Sequence, residues 1–272
     1  MLSNYLQETE SGEKLEKLLP LIHTTLLSNA KVIVAEGSLS SKKECPVFGG
    51  FLNYFFYAKP EYRDRNVGDS KYPPLDNLYV SFVFHAHSIT PYKIFPFDTG
   101  AWKGGLYKRY CNFDHEFDAI DKQSRFEFNN DITYLPKYVS AFWENNNNYL
   151  NERFIQSIPD SVPACVKELY ELIKCKNNEV DNRMRTPEVI SRNTIDLTDD
   201  NQKPFAIVMH KSCLFTFEDG MPEFINKLID LNIAYRDYTY GYGSALPPEP
   251  PNNFIPSIKQ VIIEEILPKL LS

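Results

Sequence analysis

Three short stretches carry the side chains best suited to chemistry. The first is LIHTT at residues 21–25, which sets the imidazole of His23 two residues from the hydroxyl of Thr25; Asn29, Ala30, Ile33 and the GSL of residues 37–39 follow. The second is NYFFYAKP at residues 53–60, with Glu61, Tyr62 and Arg63 behind it and Arg65 close by. It is an aromatic segment running out onto a basic turn that Pro60 fixes. The third is DNR at residues 181–183 followed by TPEV at residues 186–189, where Glu188 lies near Arg183 and Arg185. Asp196, in TIDL at residues 194–197, is a rival for the role of that acid. Lysines and arginines such as Lys59, Arg63 and Arg183 favour phosphate, and arginine does so bidentately. Taken singly, each stretch has an ordinary explanation: a helix-end or buried histidine, core aromatics, a solvated carboxylate. Their order along the chain is more informative than any one of them.

The elements that must hold these residues are read from periodicity and punctuation. Residues 13–29 place Leu15, Leu18, Leu19, Ile22 and Leu26 at helical spacing, interrupted by Pro20, and VIVAE at residues 32–36 ends at Gly37. Residues 48–57 read as an aromatic strand beginning after Gly49 and Gly50, residues 78–87 as a strand, and residues 92–97 as its partner. Residues 66–77 and the asparagine run at 145–148 read as loops. Residues 159–175, 221–231 and 257–271 read as helices, and residues 188–191 and 205–210 as short strands. Residues 245–256 form a proline-rich extended connection. FPFDTGAW at residues 95–102 has the look of a loop over a site, or of core, and has no assigned role.

The sequence H-x-T, helix and glycine, then an aromatic strand onto a basic proline turn, then a late glutamate on a strand, resembles the ADP-ribosyltransferases of the His-Tyr-Glu class. It looks most like their branch of DarT-like DNA-modifying toxins. His23 with Thr25 matches the first motif, Tyr57 or Tyr54 with Lys59 approximates the second, and Glu188 is the best match to the third. A lysine stands where the family has arginine, and the two are not interchangeable where a planar fork is needed. The resemblance implies an α+β fold with a mixed, mainly antiparallel split sheet and flanking helices, forming a single domain over residues 1–272 with a C-terminal helical closing segment. It also implies NAD as co-substrate, no metal, and an acceptor that is nucleic acid or protein, with a toxin or defence role. Departure of nicotinamide leaves an oxocarbenium-like ribose. Glu188 would stabilise that charge, His23 would hold a ribose hydroxyl, and Tyr57 or Tyr54 would stack on nicotinamide. Thr25 belongs to the cofactor-binding set, and Lys59, Arg63 or Arg183 would meet the pyrophosphate.

Bulk properties narrow the alternatives. The 272 residues are 43% hydrophobic and 24% charged, so a packed core is expected. The formal net charge of -7 argues against a general hold on nucleic acid but leaves room for a local basic groove. Five scattered cysteines without a Cys-x-x-Cys pair fit a reducing cytoplasm, and no apolar run approaches a membrane span. No P-loop, dinucleotide fingerprint or His-Glu-x-x-His occurs, and YGYG at residues 240–243 reads as a turn. His85 and His87 would share a face of a strand, but no further His or Cys at suitable spacing joins them as a metal set. A non-catalytic nucleotide- or nucleic-acid-binding module could use the same aromatic and basic surface. A protein-interaction component would need neither His23 nor Glu188.

Overall fold

The chain opens on helix α1 (Leu2–Glu8), whose Leu2 and Leu6 are wholly buried. The structure, a computed structural model, describes residues 1–8, 16–61, 74–105, 107, 124–175, 183–215, 220–238 and 255–271. Strand β1 (Leu21–Leu26) turns directly into helix α2 (Leu27–Glu36), which stops on Gly37 at φ 66°, a left-handed conformation that suits glycine. Within the helical spacing read over residues 13–29, Leu21–Leu26 is thus a strand and the helix starts only at Leu27. Ile22, Thr24 and Thr25 are β-branched, and cross-strand pairing outweighs the spacing of the leucines. Next come β2 (Ser38–Leu39), β3 (Asn53–Tyr57), β4 (Tyr79–Phe84), β5 (Lys93–Phe95) and α3 (Thr99–Lys103). Helices α4 (Tyr134–Trp143), α5 (Asn146–Leu150) and α6 (Ala164–Lys174) lead to strands β6 (Glu188–Ser191), β7 (Ile195–Asp196) and β8 (Ala206–His210). The remainder is α7 (Ser212–Phe215), α8 (Met221–Asp230), β9 (Ala234–Tyr238), α9 (Ile255–Val261), a π-helical turn (Ile262–Ile266) and α10 (Leu267–Leu271). The class is α+β, with mainly antiparallel strand pairing and flanking helices.

The chain divides into two compact units, each assembled from separate stretches. One comprises Met1–Leu19, Lys43–Tyr57 and Thr90–Arg192. Its strands run antiparallel in the order β5-β6-β3. Residues 92–97 therefore do not pair with the strand before them, as the sequence suggests; β5 sits on β6 instead. Proximity in sequence favours a hairpin, but register belongs to the hydrophobic face, which here matches Phe95 to Glu188 and Ile94 to Val189. Helix α1 packs against α4 and α6. The asparagine run, expected as a loop, starts a helix: the side chain of Asn145 caps α5 by accepting from the Asn148 N–H.

The second unit comprises Pro20–Lys42, Ala58–Ile89 and Asn193–Ser272. Its strands follow the order β1-β4-β8-β9, antiparallel except for β9, which lies parallel to β8. A parallel neighbour needs a crossover, and amphipathic α8 supplies it, burying Met221, Phe224 and Leu228. All six residues of β4 are buried, so its two faces are both covered. Strands β2 and β7 form a separate antiparallel pair. Among the described residues no helix is long and apolar enough to cross a membrane.

Candidate functional site

Glu188 is the first residue of β6, facing Phe56 of β3 on one side and Phe95 of β5 on the other, and is 2% exposed. Its Oε2 accepts two hydrogen bonds from one residue: from the Thr99 N–H at 3.0 Å and from the Thr99 hydroxyl at 2.6 Å. Thr99 opens helix α3, and Asp98 caps that helix by accepting from the Ala101 N–H at 2.8 Å. The other oxygen of Asp98 meets an Arg183 guanidinium nitrogen at 3.4 Å, while the Asp98 N–H donates to the Arg183 carbonyl at 3.0 Å. The Tyr107 hydroxyl donates to the Asp98 carbonyl at 2.9 Å. A Cβ at Gly100 would come within 3.1 Å of the capping oxygen of Asp98, so the turn is built around a small residue. Behind it Phe97 stacks on Trp102 at 4.7 Å and meets Tyr107 and Phe126 edge-on.

This environment perturbs the Glu188 carboxyl. Burial pushes the pKa of Glu188 up to about 8, and the charge of Asp98 adds to the rise. The two hydrogen bonds from Thr99 and the charge of Arg183 act the other way. With both hydrogen bonds on Oε2, a proton on this group belongs on Oε1. Such a carboxyl holds its proton more readily than a free one, and a cation arriving beside it favours the ionised form.

The strand register places the residues read from the sequence. Directly paired residues share a face and neighbours along a strand alternate, so Tyr54 and Phe56 lie on the face of Glu188, whereas Phe55 and Tyr57 lie on the opposite one. Tyr57 is fully buried there. Its hydroxyl accepts from the Leu19 N–H at 3.0 Å, and its carbonyl accepts from the Tyr149 hydroxyl at 2.8 Å. Tyr54 is half-buried; its hydroxyl donates to Cys45 Sγ at 2.6 Å, and burial raises its pKa, with the charges of Glu188 and Asp98 contributing. Of the two tyrosines, Tyr54 is thus the one brought toward Glu188. Arg183 is half-buried and joins the cluster through Asp98.

Lys59, read from the sequence as part of a basic rim, is 0% exposed, and Glu61 is buried as well. The chain turns inward after β3 because Ala58 takes φ 59° and its N–H donates to the Pro20 carbonyl. Arg63 and Arg65 lie outside the described residues, as does the YGYG turn. His23 and Thr25 stand on one face of β1 in the second unit, where the half-buried ring of His23 lies 6.2 Å from that of Phe82. Thr25 Oγ1 accepts from the Asn29 side chain at 3.1 Å, tying the strand to α2. Asp196 is exposed, and hydrogen bonds from the Thr198 hydroxyl and N–H hold its carboxyl below its usual pKa. It is a solvated carboxylate, whereas Glu188 is buried.

The residues around Glu188 that sequence reasoning misses are Asp98 and Thr99, inside the aromatic stretch at 95–102. The local signal is Asp98 itself, a residue type favoured at helix N-caps. What it could not show was that the cap faces Glu188. Among the described residues no group of three or more His, Cys, Asp or Glu is placed to hold a metal ion. No family model matches the chain, and no curated protein matches it either. A solved structure that does match is described as Thermus sp. 2.9 DarT in complex with NAD+, at 11% identity and a TM-score of 0.32, covering 82% of this chain and 98% of that one.

Proposed function

We propose that this chain is an NAD-consuming enzyme that breaks the nicotinamide-ribose bond and passes ADP-ribose to a macromolecular acceptor, on an ADP-ribosyltransferase-like fold. The observation that carries the reading is Glu188: a buried carboxyl whose pKa is raised to about 8 by burial and by Asp98, held through Thr99 and set beside Arg183. Strong perturbation by desolvation together with a specific charged partner is characteristic of functional sites. The order of the three sequence stretches supports the same reading independently.

In this reading the C–N bond to nicotinamide breaks with its electron pair leaving on the nicotinamide nitrogen. The ribosyl carbon takes on positive charge, and an acceptor nucleophile supplies a new pair and loses a proton. Glu188, ionised as the cation develops beside it, stabilises that charge; such preorganised electrostatics are worth roughly a few kcal/mol. Thr99 fixes the carboxyl oxygen, Asp98 holds Arg183, and Tyr54 supplies an aromatic surface on the same sheet face. His23 and Thr25 are assigned to the ribose by the sequence resemblance. The acceptor class proposed is nucleic acid or protein, the setting is cytoplasmic, and the role is that of a toxin or defence effector.

The test is incubation of the purified chain with NAD, alone and with single-stranded DNA, RNA or cell lysate, following nicotinamide release against a Glu188→Gln control. Release that the substitution abolishes supports the site, and dependence on an added acceptor separates transfer from hydrolysis.

A second reading, a binding module without turnover, is favoured by one surface. Arg192 lies 3.5 Å over the ring of Tyr92, and Lys93 lies over the rings of both Tyr92 and Phe48. Stacking and phosphate contacts there would suffice for binding. Under that reading Glu188→Gln leaves affinity and function intact.

A further inference from the structure

The second unit contains a cleft of about 270 Å³ between the β8–β9 edge and the C-terminal helix. Its size decides what it can take. An apolar cavity of ~150 Å³ is enough for benzene, and drug-sized ligands occupy ~300 Å³ and more, so this cleft suits one substituted ring and is far too small for a dinucleotide. Its apolar wall includes Phe205 and Ile266, and the ring of His85 lies tilted against that of Phe205 at 4.5 Å between centroids. Among the described residues its lining carries the charged side chains Arg236, Glu265 and Lys269. The guanidinium of Arg236 lies 3.8 Å from Glu265 and donates to the Tyr235 carbonyl, so its position is fixed from two sides.

The helix bordering the cleft is distorted where it meets it. The Leu267 N–H donates to the Ile262 carbonyl, a five-residue π spacing, over Ile262–Ile266. Pro268 follows at once, and a proline in a helix removes one N–H and crowds the carbonyl four residues back. The wider turn absorbs that conflict. It also includes Glu265 and Ile266, two of the residues lining the cleft, and π-turns of this kind are frequent at functional sites.

We propose that this cleft is a second binding site, for a small planar anion of the aromatic carboxylate class, with the ring against Phe205 and the carboxylate at Arg236 and Lys269. The site rests on no part of the NAD reading. Arg236 supplies the planar fork that a carboxylate matches, a charge-assisted contact that a neutral ring of the same shape does not make.

The experiment is titration of the full chain with benzoate, and with benzamide as its neutral counterpart, by calorimetry or ligand-observed NMR. Benzoate should bind at millimolar concentration or below, with benzamide at least about tenfold weaker. Arg236→Gln should cost benzoate about tenfold or more, the loss of one charge-assisted contact. Ala234→Phe, which fills the cleft from β9, should abolish binding; if that variant fails to fold, the half-exposed Arg236 position still decides the matter. Glu188→Gln should leave benzoate binding unchanged, so failure of the NAD reading would not disturb the result. Absence of benzoate binding, equal binding of benzamide, or binding indifferent to the Arg236 substitution would overturn the proposal.

Discussion

A buried carboxyl costs a fold free energy unless it is neutral or well partnered, and Glu188 meets that cost by holding its proton and by taking two hydrogen bonds from Thr99. Its pKa rises from 4.5 to about 8 on folding, so the folded chain keeps a proton that the unfolded chain releases between those values. The resulting stabilisation is full below about pH 4.5 and is lost as the pH rises through about 8. Glu188→Gln mimics the neutral form at every pH. It should melt close to the wild type near pH 5 and higher than it near pH 9, with a difference of roughly a few kcal/mol measurable by thermal unfolding at the two pH values. The proposed chemistry needs the ionised form, so kcat/KM for nicotinamide release should climb as the pH passes through about 8. Two substitutions should move that limb in opposite directions. Thr99→Val removes a hydrogen bond that favours the carboxylate and should shift the limb to higher pH, whereas Asp98→Asn removes a like charge and should shift it to lower pH. A limb that stays in place in both variants would mean that another group governs the profile.

The elements make a finer distinction than the residue types alone. Tyr54 and Tyr57 are three positions apart in one short strand and point to opposite sides, so they should fail differently. Tyr57→Phe strands the buried Leu19 N–H and should lower stability by about 1–3 kcal/mol in denaturant unfolding, with nicotinamide release by the folded fraction unchanged. Tyr54→Ala should lower kcat/KM by about tenfold or more while costing less stability than a fully buried aromatic would. Parity along β3 was legible from the sequence, but which face carries the acid was not, because that depends on the register of β3 against β6. Strong amphipathic patterns survive in their main part: the helix expected over residues 159–175 forms as α6 but begins only after Pro163, at Ala164, and α8 forms with Pro222 in its first turn. Weak or competing signals failed for physical reasons. LIHTTL had leucines at helical spacing but β-branched residues that pair with β4, and the asparagine run reads as loop until Asn145 is seen capping α5. The site was legible in part: Glu188 stood out beside Arg183, while Asp98 and Thr99 reach it across 89 residues of chain or more and leave only a local capping pattern in the sequence.

At the scale of the whole molecule, the net charge of -7 limits how an acceptor can be held. If the acceptor is nucleic acid, its capture depends on a few local cations and not on the overall field, so affinity should fall only gently with salt, with a slope equivalent to about two or three phosphates. A filter-binding titration across salt concentrations would show this, and a steep slope would point to a large basic surface that the charge balance does not favour. Glu188, Asp98, Thr99 and Arg183 belong to one unit, and His23 and Thr25 to the other. His23→Ala tests the second set separately and should weaken NAD binding without the change in pH stability expected of Glu188→Gln. The most direct test of the central claim is nicotinamide release from NAD by the purified chain, with and without nucleic acid or lysate, beside Glu188→Gln. Release by the wild type that falls by about a hundredfold or more in the variant, with the variant folded and at least as stable, is the predicted result. No release under any of these conditions, with NAD also leaving the melting temperature unmoved, would contradict it.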